Sequence, residues 1–319
     1  MKNNILYYSV GPLLYCPANK ISIVDTLTKE KFGNNFSLAF CLEDTINDKH
    51  IEIAENILVN NINSIYNNYK TNSFYLPKIF IRVRNSQQII KLTKAFGNSI
   101  NIITGYIIPK FSTENADSYI QAIIKVNEIS KKRLYVMPIY ENSSIIDLRS
   151  RYNILYELKD KLSKIEELVL NIRVGGNDLC NMFGLRRHFD ESIHKIRPIS
   201  DIFSDIIAVY GMDYVVSGPV YEYYSGPNWK QGLIQEIKDD KLCGFIGKTI
   251  IHPNQINIVN DTFKVSQSDY NDAQSILNWN KDSNNLVAGN LSNERMNEYK
   301  THINWASKVL FLADVYGIK

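Results

Sequence analysis

LYVMPIYE (residues 134–141) and LVLNIRVGGND (residues 168–178) are two apolar runs that each lead into a carboxylate, Glu141 and Asp178. Runs of this composition predict two consecutive buried strands, and the segment between them predicts the helix that joins them. In a parallel α/β barrel the ends of neighbouring strands lie side by side at the catalytic face. The two carboxylates could therefore share one hard cation such as Mg²⁺, with positions left for water and substrate. The first hypothesis is a barrel-shaped, metal-assisted enzyme.

Short apolar runs of the same kind recur along the chain, with amphipathic stretches between them. Residues 115–131 and 145–163, for example, have apolar positions at three- and four-residue spacing, which is typical of helices. The runs that predict strands are residues 6–14, 37–42, 78–85, 102–108, 134–140, 168–176, 213–217 and 247–251. This number of strands predicts an α/β fold, a (β/α)₈ TIM barrel. An open doubly wound sheet is the competing fold, but it requires a Gly-rich first turn that is absent here.

The sequence changes character after the last strand-like run. Residues 267–279 predict a helix, residues 280–293 form a polar stretch typical of a mobile loop, and residues 294–316 predict an amphipathic helix. We therefore expect one TIM-barrel domain over residues 1–276 and a C-terminal lid or arm over residues 277–319. The arm would be a helical extension of the barrel rather than a second domain.

The composition argues against several classes of protein. The net charge of the 319 residues is only +3 and the basic residues do not form one block, so nucleic acid is not expected as a primary ligand. The chain has no apolar run long enough for a membrane span, and residues 1–8 lack the features of a signal peptide. We therefore expect a cytoplasmic protein.

The cysteines are widely spaced in the sequence. Cys16, Cys41, Cys180 and Cys243 include no C-x-x-C motif. Neither a zinc site nor a disulfide framework is therefore expected.

Other polar residues also follow strand-like runs, at positions that fall on the catalytic face of a barrel. Glu43 and Asp44 follow the second run, Lys110 follows the fourth and His252 follows the eighth. Each has a structural interpretation too: Glu43 and Asp44 could cap the next helix, Lys110 could be a solvated loop residue, and His252 could bond only to backbone. Both interpretations stay open for these residues.

Arg82 and Arg84 lie at the end of the third run. Side chains alternate across a strand, so the two arginines share a face while Val83 points to the other. A barrel mouth rarely accepts an arginine without an anionic partner. The guanidinium could bind a substrate carboxylate or stabilise an enolate oxygen. The structural alternative is a salt bridge to Glu43 or Asp44.

Several segments, taken in order, match a family pattern. They are Leu42-Glu43-Asp44, Ile81-Arg82-Val83, Ile108-Pro109-Lys110, Tyr140-Glu141, Gly176-Asn177-Asp178-Leu179 and GFIGKTIIHPNQI at residues 244–256. The last is the longest ungapped match. In order and spacing, over residues 5–276, they resemble the citrate lyase beta-subunit-like (HpcH/HpaI aldolase) family. Residues 294–298 are similar to a subgroup found beside tellurite and stress-resistance genes.

The resemblance implies a (β/α)₈ barrel that assembles into a homo-oligomer, a trimer or hexamer. It also implies a small-molecule substrate, without nucleic acid or membrane as a partner. Members of the family cleave or form carbon–carbon bonds next to a carbonyl, commonly on a coenzyme A or carrier-protein thioester. They use Mg²⁺, for which Mn²⁺ is an alternative ion.

The resemblance also implies roles for individual residues. Glu141 and Asp178 would be the Mg²⁺ ligands. Arg82 would contact the substrate carbonyl or the enolate, with Arg84 as the alternative if the register shifts by two.

The remaining motif residues would surround the substrate. Glu43 and Asp44 would lie in the water shell of the metal or help proton transfer. Gly176 and Asn177 would bring backbone N–H groups near a substrate carboxylate, and Lys110 would bind substrate.

The chain departs from the family pattern in two segments. Relatives have Met-Val-Asp in a lid that supplies the general acid to a neighbouring subunit, whereas this sequence has Met296-Asn297-Glu298, and Asn cannot act as an acid. The stretch at residues 220–229 is rich in aromatic residues, which leaves open whether a coenzyme A thioester is used. These aromatic residues could pack on a ring-containing substrate, on the C-terminal helix or on a neighbouring subunit.

We expect a Mg²⁺-dependent carbon–carbon lyase or aldolase that acts on a keto-acid or acyl-thioester substrate through an enolate stabilised by metal and arginine. One alternative is a catalytically weak family member that acts as a binding or scaffold subunit in a stress-response or biosynthetic complex. A further alternative is an acyl-thioester hydrolase that uses the same metal site.

Overall fold

The apolar runs form the strands of one parallel sheet. The computed structural model describes residues 4–319. The strands of the sheet are β1 (Pro12–Pro17), β2 (Ser37–Cys41), β3 (Lys78–Arg82), β4 (Ile103–Ile108), β5 (Tyr135–Tyr140), β6 (Ile172–Val174), β7 (Val216–Ser217) and β8 (Lys248–Ile250). Neighbours in the sheet follow chain order, and β1 also pairs with β8.

The two ends of the strand order meet between β7 and β8. Gly218 forms a parallel bridge with Lys248. The Gly218 N–H donates to the Gly247 carbonyl over 3.1 Å, and the Thr249 N–H donates to the Gly218 carbonyl over 3.2 Å. The eight-stranded sheet is therefore a nearly closed barrel, which confirms the predicted (β/α)₈ fold.

Helices connect the strands and cover the outside of the barrel. The α-helices of residues 4–319 are α1 (Ile5–Tyr8), α2 (Ile23–Thr28), α3 (Ile51–Thr71), α4 (Ser86–Phe96), α5 (Ala116–Ile129), α6 (Arg151–Ser163), α7 (Gly176–Met182), α8 (Arg197–Tyr210), α9 (Trp229–Cys243), α10 (Ile256–Phe263), α11 (Gln267–Leu277) and α12 (Tyr299–Tyr316). Short 3₁₀ turns occur at Asp48–His50, Gly97–Ile102, Ser143–Ile145, Glu166–Leu168, Ile193–Lys195 and Pro253–Gln255. In this part of the chain no helix combines the length and apolarity that crossing a membrane requires.

The strands separate two hydrophobic cores. The core inside the barrel consists of Val10, Leu13, Ala39, Phe80, Ile107, Met137, Ile139 and Leu170. A larger core between the strands and the helices includes Leu38, Ile81 and Val136. Because side chains alternate across a strand, a nearly continuous apolar run supplies both cores.

The first apolar run is divided between a helix and a strand. Residues 6–14 predict a single strand, but α1 ends at Tyr8 and β1 begins only at Pro12. The Asn4 side chain accepts a hydrogen bond from the Leu6 N–H over 2.9 Å and so caps α1. Gly11 has a φ of +63°, which glycine adopts without a steric penalty, and there the chain turns into β1.

The C-terminal segment also differs from its prediction. The amphipathic pattern predicts a helix from residue 294, but β9 (Val287–Gly289) and β10 (Met296–Glu298) form an antiparallel hairpin and α12 begins at Tyr299. The Asn290 side chain accepts from the Glu294 N–H over 2.9 Å, and Arg295 Nε donates to Asp272 over 2.6 Å. Polar contacts with α11 thus hold this segment extended, which the apolar pattern does not encode.

The helix α12 packs at the end of the barrel opposite the mouth. The Phe311 ring stacks on Tyr8 of α1 at 4.8 Å, and the Tyr316 ring stacks on Phe263 of α10 at 5.0 Å. The Tyr316 hydroxyl lies beside Gly247, the residue that precedes β8. The C-terminal helix is therefore present as predicted, and it covers the amino-terminal ends of strands.

Candidate active site

A cavity of about 350 Å³ opens at the carboxyl ends of the strands. Its walls come from the last residues of the strands and from the loops that follow them. The lining residues are Tyr15, Asp44, Arg82, Ile139, Glu141, Arg173, Val174, Gly175, Asn177, Asp178, Arg186, Val220, Glu222, Thr249 and Ile251. Barrel topology thus brings Glu141, Asp178 and Arg82 to one cavity.

Glu141 directly follows β5 and is only 3% exposed. Its Oε1 accepts hydrogen bonds from Arg82 Nη2 at 3.0 Å and from the Lys110 backbone N–H at 3.1 Å. Lys110 makes this contact at a φ of +48°, which is uncommon for a residue other than glycine. On the other side, a Cβ atom at residue 175 would lie 2.1 Å from Glu141 Oε2, so only Gly175 fits there.

Asp178 lies in the first turn of α7 rather than in a loop beyond β6. The strand β6 ends at Val174, and α7 begins at Gly176. A carboxylate is favourable in a first turn because unpaired backbone N–H groups point toward it. The pKa of Glu141 is raised to about 7. Burial is the main cause, the Asp178 charge adds to it, and the Arg82 charge opposes it. The two carboxylates therefore repel each other across the cavity.

Arg82 ends β3 and joins three carboxylates. Its Nη1 lies 2.9 Å from Asp44 Oδ2, and its Nη2 lies 3.0 Å from both Glu43 Oε2 and Glu141 Oε1. The Lys110 ammonium bonds to Glu43 as well and lies 3.2 Å from Asp44 Oδ1. The salt bridges considered for Arg82 are therefore present, and they belong to a network that includes Glu141.

This network keeps its cations charged. Burial raises the pKa of Glu43, and Asp44 beside it raises it further. Burial also acts to raise the pKa of Asp44, but hydrogen bonding with Glu43 and the charges of Arg82 and Lys110 lower it to about 2. Burial lowers the pKa of Arg82 and of Lys110, yet neighbouring acidic groups raise both above their ordinary values.

Arg84 organises the loop after β2 and does not line the cavity. Its Nε donates to the Leu42 carbonyl over 2.7 Å, and its Nη2 donates to the carbonyls of Glu43, at 3.1 Å, and Ile46. Its Nη1 pairs with Asp48. The structure thus places Arg84 behind the loop that carries Glu43 and Asp44.

The other predicted site residues surround the cavity at different depths. Asn177 lines it, and its Nδ2 donates to Glu222 Oε1 over 3.3 Å. Gly176 is buried and does not line the cavity; a Cβ atom there would lie 2.5 Å from Ile193 Cδ1. Lys110 and Glu43 do not line the cavity but contact residues that do: the Lys110 ammonium lies beside Asp44 and its backbone N–H donates to Glu141, while Glu43 pairs with Arg82.

Sequence reasoning missed Tyr15, Arg173, Glu222 and Thr249 of the cavity wall. The Arg82 guanidinium lies 5.7 Å from the centre of the Tyr15 ring. Arg173 carried a usable signal, because it is a charge inside an otherwise apolar strand, as Arg82 is. Glu222 follows β7 within the aromatic-rich stretch at residues 220–229, where no periodicity distinguishes it as a site residue.

His252, a candidate from the sequence, and two arginines after α7 have structural contacts. The His252 Nδ1 accepts from the Asn254 N–H over 3.2 Å, and its ring stacks on Tyr224 at 4.5 Å. Arg187 is buried with its Nε 2.9 Å from Glu236 Oε2, whereas Arg186 is exposed at the cavity rim.

The oxygen donors in the cavity fit one Mg²⁺ ion held by few protein ligands. Mg²⁺ commonly binds through one or two carboxylates and keeps several waters. Glu141 Oε2 accepts no hydrogen bond from residues 4–319, because the contacts described above all use Oε1. No group of three or more His, Cys, Asp or Glu side chains within these residues could hold a metal by itself. Glu141 and Asp178 would therefore have to share the ion with water or substrate.

Comparison with solved structures gives similar folds. CitE from Mycobacterium tuberculosis in complex with magnesium, acetoacetate and coenzyme A is 15% identical, with a TM-score of 0.61 over 97% of this chain and 99% of that chain. The citrate lyase beta subunit from M. tuberculosis complexed with oxaloacetate and magnesium is 16% identical, with a TM-score of 0.51 over 81% and 99%. RipC from Yersinia pestis is 16% identical, with a TM-score of 0.53 over 81% and 96%.

The family itself is identified from the sequence. No curated protein matches this chain. The model of the carbon–carbon bond lyases of the TIM-barrel fold matches residues 4–318, which is nearly the whole chain. The chain therefore belongs to the family of carbon–carbon bond lyases with the TIM-barrel fold.

Proposed function

We propose that this protein is a Mg²⁺-dependent carbon–carbon lyase or aldolase that acts on a keto-acid or acyl-thioester substrate through an enolate. The observation that carries the proposal is that Glu141, Asp178 and Arg82 line one cavity at the mouth of the barrel. Structures of similar fold contain magnesium with oxaloacetate, or with acetoacetate and coenzyme A, which supports this class of ligand.

Glu141 and Asp178 would hold the metal. When bound, Mg²⁺ would supply positive charge that polarises the substrate carbonyl. Gly175 and the Lys110 N–H fix the Glu141 carboxylate from opposite sides. Glu141 would thus be a preorganised ligand of the hard oxygen type that Mg²⁺ prefers, with Asp178 as the second ligand.

Arg82 would stabilise the negative charge that develops on the enolate oxygen when the carbon–carbon bond breaks. Its contacts with Glu43 and Asp44 hold the guanidinium in one orientation at the cavity wall. A donor that is already in place need not reorganise as the charge forms. Lys110 would help to hold the Arg82 guanidinium in place, because its ammonium contacts Glu43 and Asp44.

The remaining motif residues would handle substrate acid groups and protons. Asp44 lines the cavity and would contact the water shell of the metal or take part in proton transfer. The backbone N–H groups of Gly176 and Asn177 would contact a substrate carboxylate, as the family motif implies.

We also propose that the C-terminal arm, residues 277–319, completes the cavity of a neighbouring copy in a homo-oligomer through its hairpin of β9 and β10, because α12 packs on its own barrel. Within one chain, none of Met296, Asn297 and Glu298 lines the cavity. Asn297 is buried in the hairpin and cannot transfer a proton, so Glu298 is the residue of this segment with acid chemistry.

Thermal unfolding with Mg²⁺ or Mn²⁺, with and without oxaloacetate, pyruvate and glyoxylate, tests the metal site. We expect stabilisation that requires metal and keto acid together and that disappears in Asp178→Asn. Asp190→Asn, a change at an exposed residue outside the cavity, is the matched control and should respond as wild type does. Metal affinity retained in both Glu141→Gln and Asp178→Asn would contradict the assignment.

The Asn297 observation favours a second candidate, a catalytically weak member that serves as a binding or scaffold subunit. Product analysis separates the candidates. Carbon–carbon cleavage by the isolated protein would exclude the scaffold function. Release of free acid from a thioester without cleavage would instead indicate a hydrolase that uses the same site.

A further inference from the structure

Arg173 is a buried cation without a carboxylate partner. The buried arginines of residues 4–319 are Arg82, Arg151, Arg173 and Arg187. Arg82 joins three carboxylates, Arg151 Nη1 lies 2.8 Å from Asp205, and Arg187 Nε lies 2.9 Å from Glu236. No Asp or Glu of the described residues pairs with Arg173, whose hydrogen bonds go to neutral side chains.

The neutral contacts leave part of the guanidinium unused. Its Nη2 donates to Thr249 Oγ1 over 2.6 Å, and its Nη1 reaches Asn171 Oδ1 only at 3.4 Å. Its Nε has no hydrogen-bond partner among residues 4–319. An arginine stays protonated in proteins, and a buried charge without a counter-ion is unfavourable. Burial accordingly lowers the pKa of Arg173.

Arg173 belongs to a deeper layer of the cavity than Glu141. It is the register partner of Ile139, which lies two residues before Glu141 on the neighbouring strand. Two residues of a strand rise by about 6.6 Å. On its other side Arg173 pairs with Ser217, whose buried hydroxyl also lacks a partner among the described residues.

The cavity therefore has charges of different character at two depths. Its acids are Asp44, Glu141, Asp178 and Glu222, which follow strand ends or lie in loops at the mouth. Arg173 lies on the wall below them, within a strand, with Thr249 beside it. The mouth thus offers ligands for a cation, and the deeper wall offers donors for an anion.

We propose that Arg173 binds a carboxylate or phosphate group of the small molecule that enters the cavity, one layer of side chains deeper than Glu141. The substrate is then an acid with a second anionic group that reaches one layer, a strand rise of about 6–7 Å, below the layer of Glu141. That this molecule is the substrate rests on the proposed function, whereas the binding of an anion by Arg173 does not.

A purely structural arginine and an anion receptor predict opposite effects on stability. Arg173→Met keeps the length of the side chain and removes a charge that nothing compensates. If Arg173 is an anion receptor, Arg173→Met should unfold at a higher temperature than wild type when no anion is added. Binding sites retain groups that are unfavourable without their ligand, and the substitution removes such a group. If Arg173 is instead a structural contact to Thr249 and Asn171, Arg173→Met should unfold at a lower temperature than wild type.

The test titrates metal-free protein in EDTA with inorganic phosphate or with succinate, at an ionic strength fixed with sodium chloride. We expect at least one anion to raise the unfolding temperature of wild type; phosphate alone or succinate alone identifies the group. Arg173→Met should weaken this binding by at least about tenfold. Arg186→Met removes the same charge from the exposed rim of the cavity and should retain most of the response.

Three results would overturn the inference: an unfolding temperature of Arg173→Met below that of wild type without anion, no response of wild type to either anion, or an equal response of wild type and Arg173→Met. If Arg173→Met does not fold, the arginine Nε–H resonance of wild type, assigned by its loss in Arg173→Lys, must shift with added anion. Because no metal or turnover is involved, an anion response without a metal response would contradict the proposed function alone.

Discussion

The position of the Glu141 carboxylate depends on a neighbouring residue that has no side chain. A Cβ atom at residue 175 would lie 2.1 Å from Oε2 and 2.4 Å from Cβ of Glu141, distances that no native contact shows. Glu141 cannot move away easily, because Arg82 and the Lys110 N–H hold its Oε1. Gly175 is therefore required for the geometry of the proposed metal ligand.

We expect Gly175→Ala to displace the carboxylate and weaken Mg²⁺ binding while the barrel still folds. Overpacking of this kind should lower the free energy of unfolding by about 1–3 kcal/mol. Urea unfolding and Mg²⁺ titration check both effects. Gly289→Ala is the control, because its Cβ would meet only the exposed Asn293 side chain of the hairpin. Unchanged Mg²⁺ affinity in Gly175→Ala would contradict the proposal that Glu141 is a metal ligand.

At the scale of elements, the loop after β2 is shaped by a residue from the adjacent strand. Arg84, just beyond β3, bonds to the carbonyls of Leu42, Glu43 and Ile46. The Leu42 N–H in turn donates to the Arg82 carbonyl over 3.0 Å. Arg84 therefore holds the loop that carries Glu43 and Asp44 in one conformation. These two carboxylates contact Arg82, so the loop also helps to position Arg82 for its proposed role.

A buried network of charges joins β8 to α9. Lys248 is fully buried, and its Nζ lies 2.7 Å from Asp240 Oδ2 and 3.1 Å from Glu236 Oε1. Arg187 pairs with Glu236 at 2.9 Å, and His194 Nε2 lies 2.7 Å from Asp240 Oδ1. Each buried carboxylate thus has more than one partner, as groups away from water require.

Lys248→Met should destabilise the protein because it leaves two buried carboxylates short of positive charge. We expect a loss of about 3–5 kcal/mol in the free energy of unfolding, measured with urea. Lys29→Met removes an exposed lysine whose partner Asp25 is also exposed and should change the same quantity by less than about 1 kcal/mol. Equal losses in the two variants would mean that burial of the Lys248 network has no special weight.

At the scale of the whole molecule, the fold separates its thiols by exposure. Cys16, Cys41 and Cys180 are buried, and Cys243 at the end of α9 is exposed. Burial raises the pKa of Cys16 to about 11 and also raises that of Cys243. The thiolate is the reactive form of cysteine. Cys16 should therefore react slowly, because reagents cannot reach it and because its thiol stays protonated.

We expect one thiol of the native protein to react rapidly with a disulfide reagent and all four to react after denaturation. Raising the pH from about 7 to 9 should accelerate Cys243, because more of its thiolate forms, while Cys16 stays slow below its pKa. Cys243→Ser should abolish the fast phase. A fast phase that persists in this variant would show that the barrel opens around a buried cysteine.

The arm at the C-terminus shows how a local pattern and a distant contact can disagree. The amphipathic spacing from residue 294 favours a helix, yet Arg295 bonds to Asp269 and Asp272 of α11 and the chain stays extended to Glu298. The helix begins only at Tyr299, directly after the hairpin strand β10 ends. The spacing determined that a helix forms, and the packing determined its first residue.

The sequence by itself determined the number, order and direction of the strands, because apolar runs and their spacing are local properties of the chain. It also determined the family, and it predicted that Glu141 and Asp178 approach each other, since consecutive parallel strands end on one face. Only the tertiary structure decided that Asp178 lies in a helix turn, that Arg82 joins three carboxylates, and that Arg173 has none. These outcomes depend on contacts between residues far apart in the chain, which no local pattern specifies.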